Sequence, residues 1–300
     1  MAMAADSLRS PDAAREIARR HRRARWRRMP LVSMAILALV VIVAIVGPLL
    51  GSIDPFSGTL STALKPPIWM DGGTWANPLG TDQLGRDVLS RLVVGARMTL
   101  LVAICGVVGS ALVGTAIGLV AGYFGGWIDA VLMRITDATL AIPLLVLGLA
   151  LATTLGPGIV NVVVVVTAVS WAFFARLVRG EVLHVRRLEF VLAAQIAGIP
   201  RRRILARHVL PNVLAPILVM SSLQIGNTII LAASLSFLGL GVPEPQPEWG
   251  LMLANSRDYL SMMPHLVVIP GVALGLLVLS ANLVGDWLRD RFDPHLEHVA

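Results

Sequence analysis

Charged residues are missing from long stretches of this chain, and the lengths of those stretches make the first prediction. Leu31–Leu50 is twenty residues without a charge, and Met98–Gly122 is a second uncharged run. No charge falls between Asp137 and Arg176, a stretch that Gly156-Pro157-Gly158 divides in two. Val209–Pro243 and Leu266–Gly285 complete the set. A transmembrane helix needs about 17–25 predominantly apolar residues. The pattern therefore predicts six spans. The first covers Leu31–Leu50, the second Met98–Gly122, and the third runs from near Asp129 past Pro143 to Leu155. The fourth runs from Ile159 to about Arg179, the fifth over Asn212–Ala233 and the sixth over Leu266–Gly285. The first span is too long for the ~7–15-residue apolar core of a signal peptide and no A-x-A-like site follows it, so it reads as a retained anchor.

Composition agrees: 56% of residues are hydrophobic and 14% charged, the profile of an all-α polytopic membrane protein rather than of soluble domains. The layout predicted is a basic arm over 1–30, a first span over 31–51 and an extracytoplasmic segment over 52–92. A core of five spans over 93–288 and a tail over 289–300 follow. Arginine orients it. Nine arginines precede Leu31, eight more lie between Arg176 and Arg207, and Arg289 and Arg291 follow the last span. The opposite side carries only Lys65, Arg86, Arg91 and Arg257. The positive-inside rule places both termini in the cytoplasm of a cell-membrane protein. The net charge of +7 is thereby accounted for by topology and contact with membrane lipid, and nucleic acid is not expected as a partner.

Small and polar residues inside the runs carry further expectations. Gly106, Ser110, Gly114, Gly118 and Gly122 recur every four residues, a spacing that lets helix backbones approach closely in a membrane. Asp82, Arg86, Asp87 and Arg91 sit at helical spacing. They are expected either to pair locally on an interfacial helix leading into the second span or to form a ligand site. Arg134 and Asp137 are three residues apart and are expected to pair with each other as a structural element. Gln224, Asn227 and Thr228 are polar residues of the fifth span, and Asn282 lies in the sixth.

Absences narrow the function. Cys105 is the only cysteine and the six histidines are scattered, so no metal site is expected. Lys65 is the only lysine, on the outer side, and no GxxxxGK[ST] loop exists. No acidic residue sits mid-span, against a proton relay or a stand-alone cation-coupled transporter. No GxSxG or HExxH occurs, and no catalytic residue is expected. The chain reads as a transmembrane conduit whose motor lies elsewhere, and such a conduit needs a handle on its cytoplasmic face. The stretch EFVLAAQIAGIPRRRILARHVLPN, Glu189–Asn212, meets that need. It predicts a short helix, a break at Gly198 with Pro200, and a second helix with four arginines stopped at Pro211. Ala193, Ala194, Ala197 and Gly198 offer a small-residue surface, and Phe190, Val191, Leu192 and Ile196 supply apolar area. A basic interfacial helix that only orients the protein is the alternative, and the arginines would face lipid phosphates or acidic partner residues.

The same stretch resembles the EAA loop of ABC-transporter permeases. The match rests on Ala193, Ala194, Gly198 and the Leu210-Pro211 pair, with Leu192 standing where the motif's glutamate usually is and Glu189 three residues earlier. NPLGTDQLGRDVLSRLVVGAR (77–97), AGYFGGWIDAVLMRITD (121–137), SLSFLGLGVPEPQPEWG (234–250) and NLVGDWLRDRFDP (282–294) resemble one branch of the dipeptide/oligopeptide/nickel permeases. That branch is the second permease of a heterodimer, and the resemblance covers about Leu31 to Pro294. It implies the type I ABC-importer permease fold, with the loop 185–211 coupling to cytoplasmic ATPases. It also implies a companion permease, two ABC ATPase subunits that bind ATP and Mg, and an extracytoplasmic substrate-binding protein. The substrate implied is a di- or oligopeptide, or nickel in the rival reading. Ser170, Trp171, Gln224 and Asn227 are the candidates for the translocation path.

Overall fold

The computed structural model describes residues 30–49 and 54–292. The basic arm, except Pro30, and the tail beyond residue 292 lie outside the described residues. Ten α-helices are found among those described. The first, α1 (Leu31–Val46), is followed by a 3-10 turn to Leu49. It presents most of its apolar side chains outward and buries small ones, Ser33, Ala44 and Gly47. An exposed apolar helix of this length belongs in lipid.

The outer segment 54–87 departs from the interfacial helix expected at its end. Asp82 Oδ1 accepts from the backbone N–H of Leu84 and of Arg86, both at 2.9 Å. Gly85 adopts φ +75°, and Thr81 bridges to Asp87. A side chain that binds its own backbone in this way competes with the helical ladder. The helix α2 (Val88–Phe124) starts only after Asp87, whose carboxylate caps it through Ser90 N at 2.8 Å. The rest of the segment is tied together by backbone bonds such as Leu64 N to Asp82 O and Thr81 N to Lys65 O.

At 37 residues, α2 is about 55 Å long, more than the ~30 Å hydrocarbon core requires. Its small-residue ladder lies against α5 (Ile159–Val185). A Cβ added at Gly114 would stand 2.4 Å from Trp171 O, one at Gly118 2.7 Å from Ala175 O, and one at Gly122 2.8 Å from Val182 Cβ. At Gly106 the neighbour is the side chain of Val166, at 2.7 Å. Ser110 is fully buried and donates to Gly106 O at 2.7 Å, so its hydroxyl is satisfied within α2.

The third span is bent. After α2, a turn at Gly125–Gly126 leads into α3 (Gly126–Ala141), which meets α4 (Leu144–Leu155) at 95°. The break is at Ile142-Pro143, where Ile142 takes ψ 131°. Proline supplies no N–H and pushes the residue before it out of the α region. Among the described residues five helices are long and apolar enough to cross a membrane, six if this pair counts as one span. Arg134 does not pair with Asp137: Asp137 is bound by Arg176 of α5, and Asp129 by Arg179, with 3.0 and 2.6 Å hydrogen bonds.

Beyond α5 come α6 (Glu189–Ile196), α7 (Arg201–Ile204), a π-turn (Leu205–Val209) and α8 (Leu210–Phe237). Pro211 does not stop the helix, contrary to the expectation from the sequence. The helical run continues from Arg201 to Phe237. In the π-turn Leu210 N bonds to Leu205 O, a wider register that spares the chain the N–H Pro211 lacks. On the outer side α9 (Trp249–Ser256) precedes α10 (His265–Phe292). Asn282 of α10 sits against α8 so closely that a Cβ at Gly226 would be 2.1 Å from its Oδ1.

Candidate functional site

The loop between α5 and α8 is built from two short helices joined by a turn at Gly198. Turn bonds Arg187 N to His184 O and Leu188 N to Val185 O end α5, and Leu188 in extended conformation starts α6. Glu189 lies in the first turn, where a carboxylate complements the helix dipole. At the other end Ile199 N bonds to Ala194 O, and Gly198 takes φ +71°, the left-handed residue that a helix stop of this kind requires. The two faces of α6 separate cleanly. Val191 (fully buried) and Ala194 lie in one cluster with Val182, Val185, Ile204, Val209 and Val213, so the loop is fastened to α5 and α8 by its inner face.

That packing corrects part of the expected contact surface. Val191 and Ala194, three residues apart and therefore on one helix face, point into the chain itself. The outward set is Phe190, Leu192, Ala193, Ile196, Ala197 and Gly198. Ile196 is 89% exposed, and a Cβ at Gly198 would meet nothing within 4 Å. Leu210 is half-buried and Pro211 exposed at the start of α8. Arg201, Arg202, Arg203 and Arg207 are exposed. Leu192 borders a groove of about 390 Å³ with Tyr123, Arg186, Arg187 and Gln195.

A second polar assembly lies at the opposite end of the chain. Arg86, 4% exposed, donates from Nε to Asp82 at 2.7 Å and from Nη1 to Glu244 at 2.7 Å. Arg91, in the first turn of α2, approaches Asp82 at 3.6 Å and Glu244 at 3.7 Å and donates to Pro55 O at 3.3 Å. Asn255 of α9 also donates to Glu244. Burial raises the Glu244 carboxyl, but the Arg86 hydrogen bond and the charges of Arg91 and Arg86 outweigh it. The carboxyl ends below its ordinary value of about 4.5. Glu248, 3% exposed, caps α9 by accepting from Gly250 N at 2.8 Å and Leu251 N at 2.9 Å. Here burial wins and pushes the carboxyl up, despite bonds from Gly250, Ser236, Leu251 and Thr99.

This assembly staples the outer segment to the link between α8 and α9, and the sequence pattern gave only half of it. The Asp82–Arg86 pair was foreseen, although on a helix. Glu244, Glu248 and Asn255 were not. Their signal was available: no acidic residue occurs between Glu189 and Glu244, so two carboxylates arriving together opposite scarce outer arginines needed partners.

The four path candidates are distributed differently. Ser170 and Gln224 are buried, Trp171 is half-buried and Asn227 is exposed. Asn227 Nδ2 donates to Gln224 Oε1 at 2.9 Å. Ser170 and Trp171 make no hydrogen bond with either among the described residues. No group of three or more potential metal ligands occurs among the described residues.

Residues 114–298 match the family described as binding-protein-dependent transport system inner membrane component. The chain is 40% identical over 270 residues to the dipeptide transport system permease protein DppC of Alkalihalophilus pseudofirmus, covering 90% of this chain and 87% of that one. It is 41% identical to the di/tripeptide transport system permease protein DppC of Pseudomonas aeruginosa, over 90% and 89% of the two chains. With the glutathione transport system permease protein GsiD of Pectobacterium atrosepticum it shares 44% over 76% and 75%. Among solved structures it is similar in fold to a chain of the MetNI methionine ABC transporter in inward-facing conformations. That likeness has a TM-score of 0.55 at 17% identity, over 68% of this chain and 97% of that one.

Proposed function

The chain belongs to the family of binding-protein-dependent transport system inner membrane components, and from that premise we propose that it is one permease subunit of an ATP-driven importer of di- and oligopeptides. The observation that carries the substrate class is the identity of about 40% along nine-tenths of the chain to permeases named for dipeptides and di/tripeptides. The sparse polar character of the spans is consistent with it. A peptide path need contact only the backbone groups that all peptides share, and selection then falls to an extracytoplasmic binding protein.

The chain is not itself an enzyme. ATP and Mg are bound by two cytoplasmic ATPase subunits, and a companion permease completes the path. The ATPases take hold of the outward face of α6, where Leu192, Ala193, Ile196, Ala197 and Gly198 are exposed. Closure of the ATPases moves α6, and the continuous run Arg201–Phe237 carries that motion across the membrane as one rod. Rocking α5 and α8 opens the path outward, and hydrolysis returns it inward. Nickel is the second substrate class, favoured by no observation among the described residues.

Gly198 supplies the test. A Cβ added there meets no atom of this chain within 4 Å, so the cost within the chain comes from the backbone rather than from crowding. Its positive φ disfavours most residues but tolerates asparagine. Gly198→Asn is expected to keep uptake in reconstituted vesicles, while Gly198→Phe abolishes uptake and leaves ATP hydrolysis running. Wild-type uptake by the phenylalanine variant would end the docking proposal.

A further inference from the structure

The arginines at the end of α5 are not used by the coupling scheme, and the groove beside them has a chemistry of its own. It is bounded by Tyr123 at the end of α2, Arg186 and Arg187 after α5, and Leu192 and Gln195 of α6, and its volume is about 390 Å³. Arg186 is anchored: its Nη1 donates to Gly122 O at 2.8 Å and Tyr123 O at 3.4 Å. Nε and Nη2 make no hydrogen bond among the described residues. Arg187 is exposed, and neither guanidinium has a carboxylate within 4 Å among the described residues. Two adjacent forks of N–H donors, one pre-oriented and both without a counter-charge among the described residues, match the paired oxygens of a phosphate, as they would those of a carboxylate.

The surroundings select which phosphate. Phe124 (42% exposed) and Trp127 (76% exposed) flank the Gly125 turn that lies against Arg186. Exposed tryptophan and tyrosine collect at membrane–water boundaries. The basic loop sets this boundary on the cytoplasmic side, where anionic lipids attract basic pockets between helices. We propose that this groove binds the headgroup phosphate of an anionic phospholipid, bridging the end of α2 to α6. The bound lipid then ties the position of α6 to membrane composition, whatever the chain transports.

The test uses the full chain in the complex that co-purifies with it, released from nanodiscs containing phosphatidylcholine with or without phosphatidylglycerol. Native mass spectrometry counts retained lipid. The wild type is expected to retain phosphatidylglycerol over phosphatidylcholine, and Arg187→Gln to lower that retention about fivefold. Arg187→Lys keeps part of it, and Arg203→Gln, which removes an exposed arginine outside the groove, leaves it unchanged. Equal retention by wild type and Arg187→Gln overturns the proposal, as does an equal loss in Arg203→Gln, which would mean unspecific charge. Displacement of the bound lipid by excess inorganic phosphate would assign the site to a free anion. Loss of co-purifying subunits from Arg187→Gln with lipid retention intact would assign the arginines to an acidic protein partner instead. Where Arg187→Gln yields no intact complex, the lysine variant against wild type carries the comparison.

Discussion

Placing alanine on the ladder of α2 should destabilise the chain in proportion to what the new methyl meets, and the distances state how. At Gly114 the added Cβ stands 2.4 Å from Trp171 O, 2.5 Å from Phe174 Cβ and 2.9 Å from Ala175 N. Ordinary contacts are about 3.5–4.0 Å, so α2 and α5 must separate by about 1 Å at that rung. Two of the three obstacles are backbone atoms, which no rotamer change moves. Overpacking of this kind costs about 1–3 kcal/mol. Replacing a helical glycine by alanine returns about 0.8–1 kcal/mol of propensity. The net is a loss of up to about 2 kcal/mol, or up to roughly 8 °C of apparent Tm at about 2–4 °C per kcal/mol. Gly148 of α4 is the control, because its nearest neighbour to an added Cβ is 3.6 Å away. There alanine should be neutral or raise the Tm. Gly106 separates the mechanisms further: its obstacle is Cγ1 of Val166 at 2.7 Å, so Val166→Ala should rescue Gly106→Ala, while no side-chain truncation rescues Gly114→Ala. The assay is thermal unfolding of the detergent-solubilised chain followed by size-exclusion fluorescence. If Gly114→Ala and Gly148→Ala unfold at the same temperature, the close approach of α2 and α5 is refuted.

The outer staple should be read in acid. The Glu244 carboxyl is held below about 4.5, so it adds stability above its unfolded value that is lost as pH falls through the folded one. Glu244→Gln should flatten the acid limb of a stability–pH curve at a cost near neutrality of about 1 kcal/mol, since this half-exposed side chain is screened by water. Arg86→Met leaves Asp82 and Glu244 only the longer approach of Arg91, at 3.6 and 3.7 Å, and should cost up to about 3–5 kcal/mol by the same unfolding assay. Glu248 behaves oppositely. Its carboxyl is raised by burial, so its contribution is full below the unfolded value and declines as pH rises through the folded one. Glu248→Gln, which keeps an oxygen to cap α9, should remove that decline between acid and neutral pH; an unchanged profile would mean that the carboxyl ionises freely.

Much of the architecture was legible from one-dimensional signals, because a bilayer imposes its requirements locally. Each span must satisfy its own backbone and be long and apolar enough to cross, and both demands are written in consecutive residues such as Leu31–Leu50. Orientation is equally local, since it is read from the arginines flanking each span. The break of α6 at Gly198 was visible for the same reason: one residue must take a positive φ. The i,i+4 spacing of Asp82 and Arg86 foretold their ion pair but not its setting, because the Asx-type bonds to Leu84 and Arg86 replace the helix that spacing alone suggests.

The number, length and direction of the apolar runs could be read from consecutive residues, as could the helical break at Gly198. Tertiary structure decided which side of each element faces inward and which distant charges meet. It turned Val191 and Ala194 into the anchor of α6 and left Leu192, Ala193, Ile196, Ala197 and Gly198 outside. It gave Asp137 to Arg176 rather than to Arg134 three residues away, and it brought Glu244 to Arg86 across 158 positions of the chain. It also let a π-turn carry the helix through Pro211. These outcomes depend on packing between elements remote in sequence, where a difference of one residue in register changes the partner, and no local pattern encodes that register.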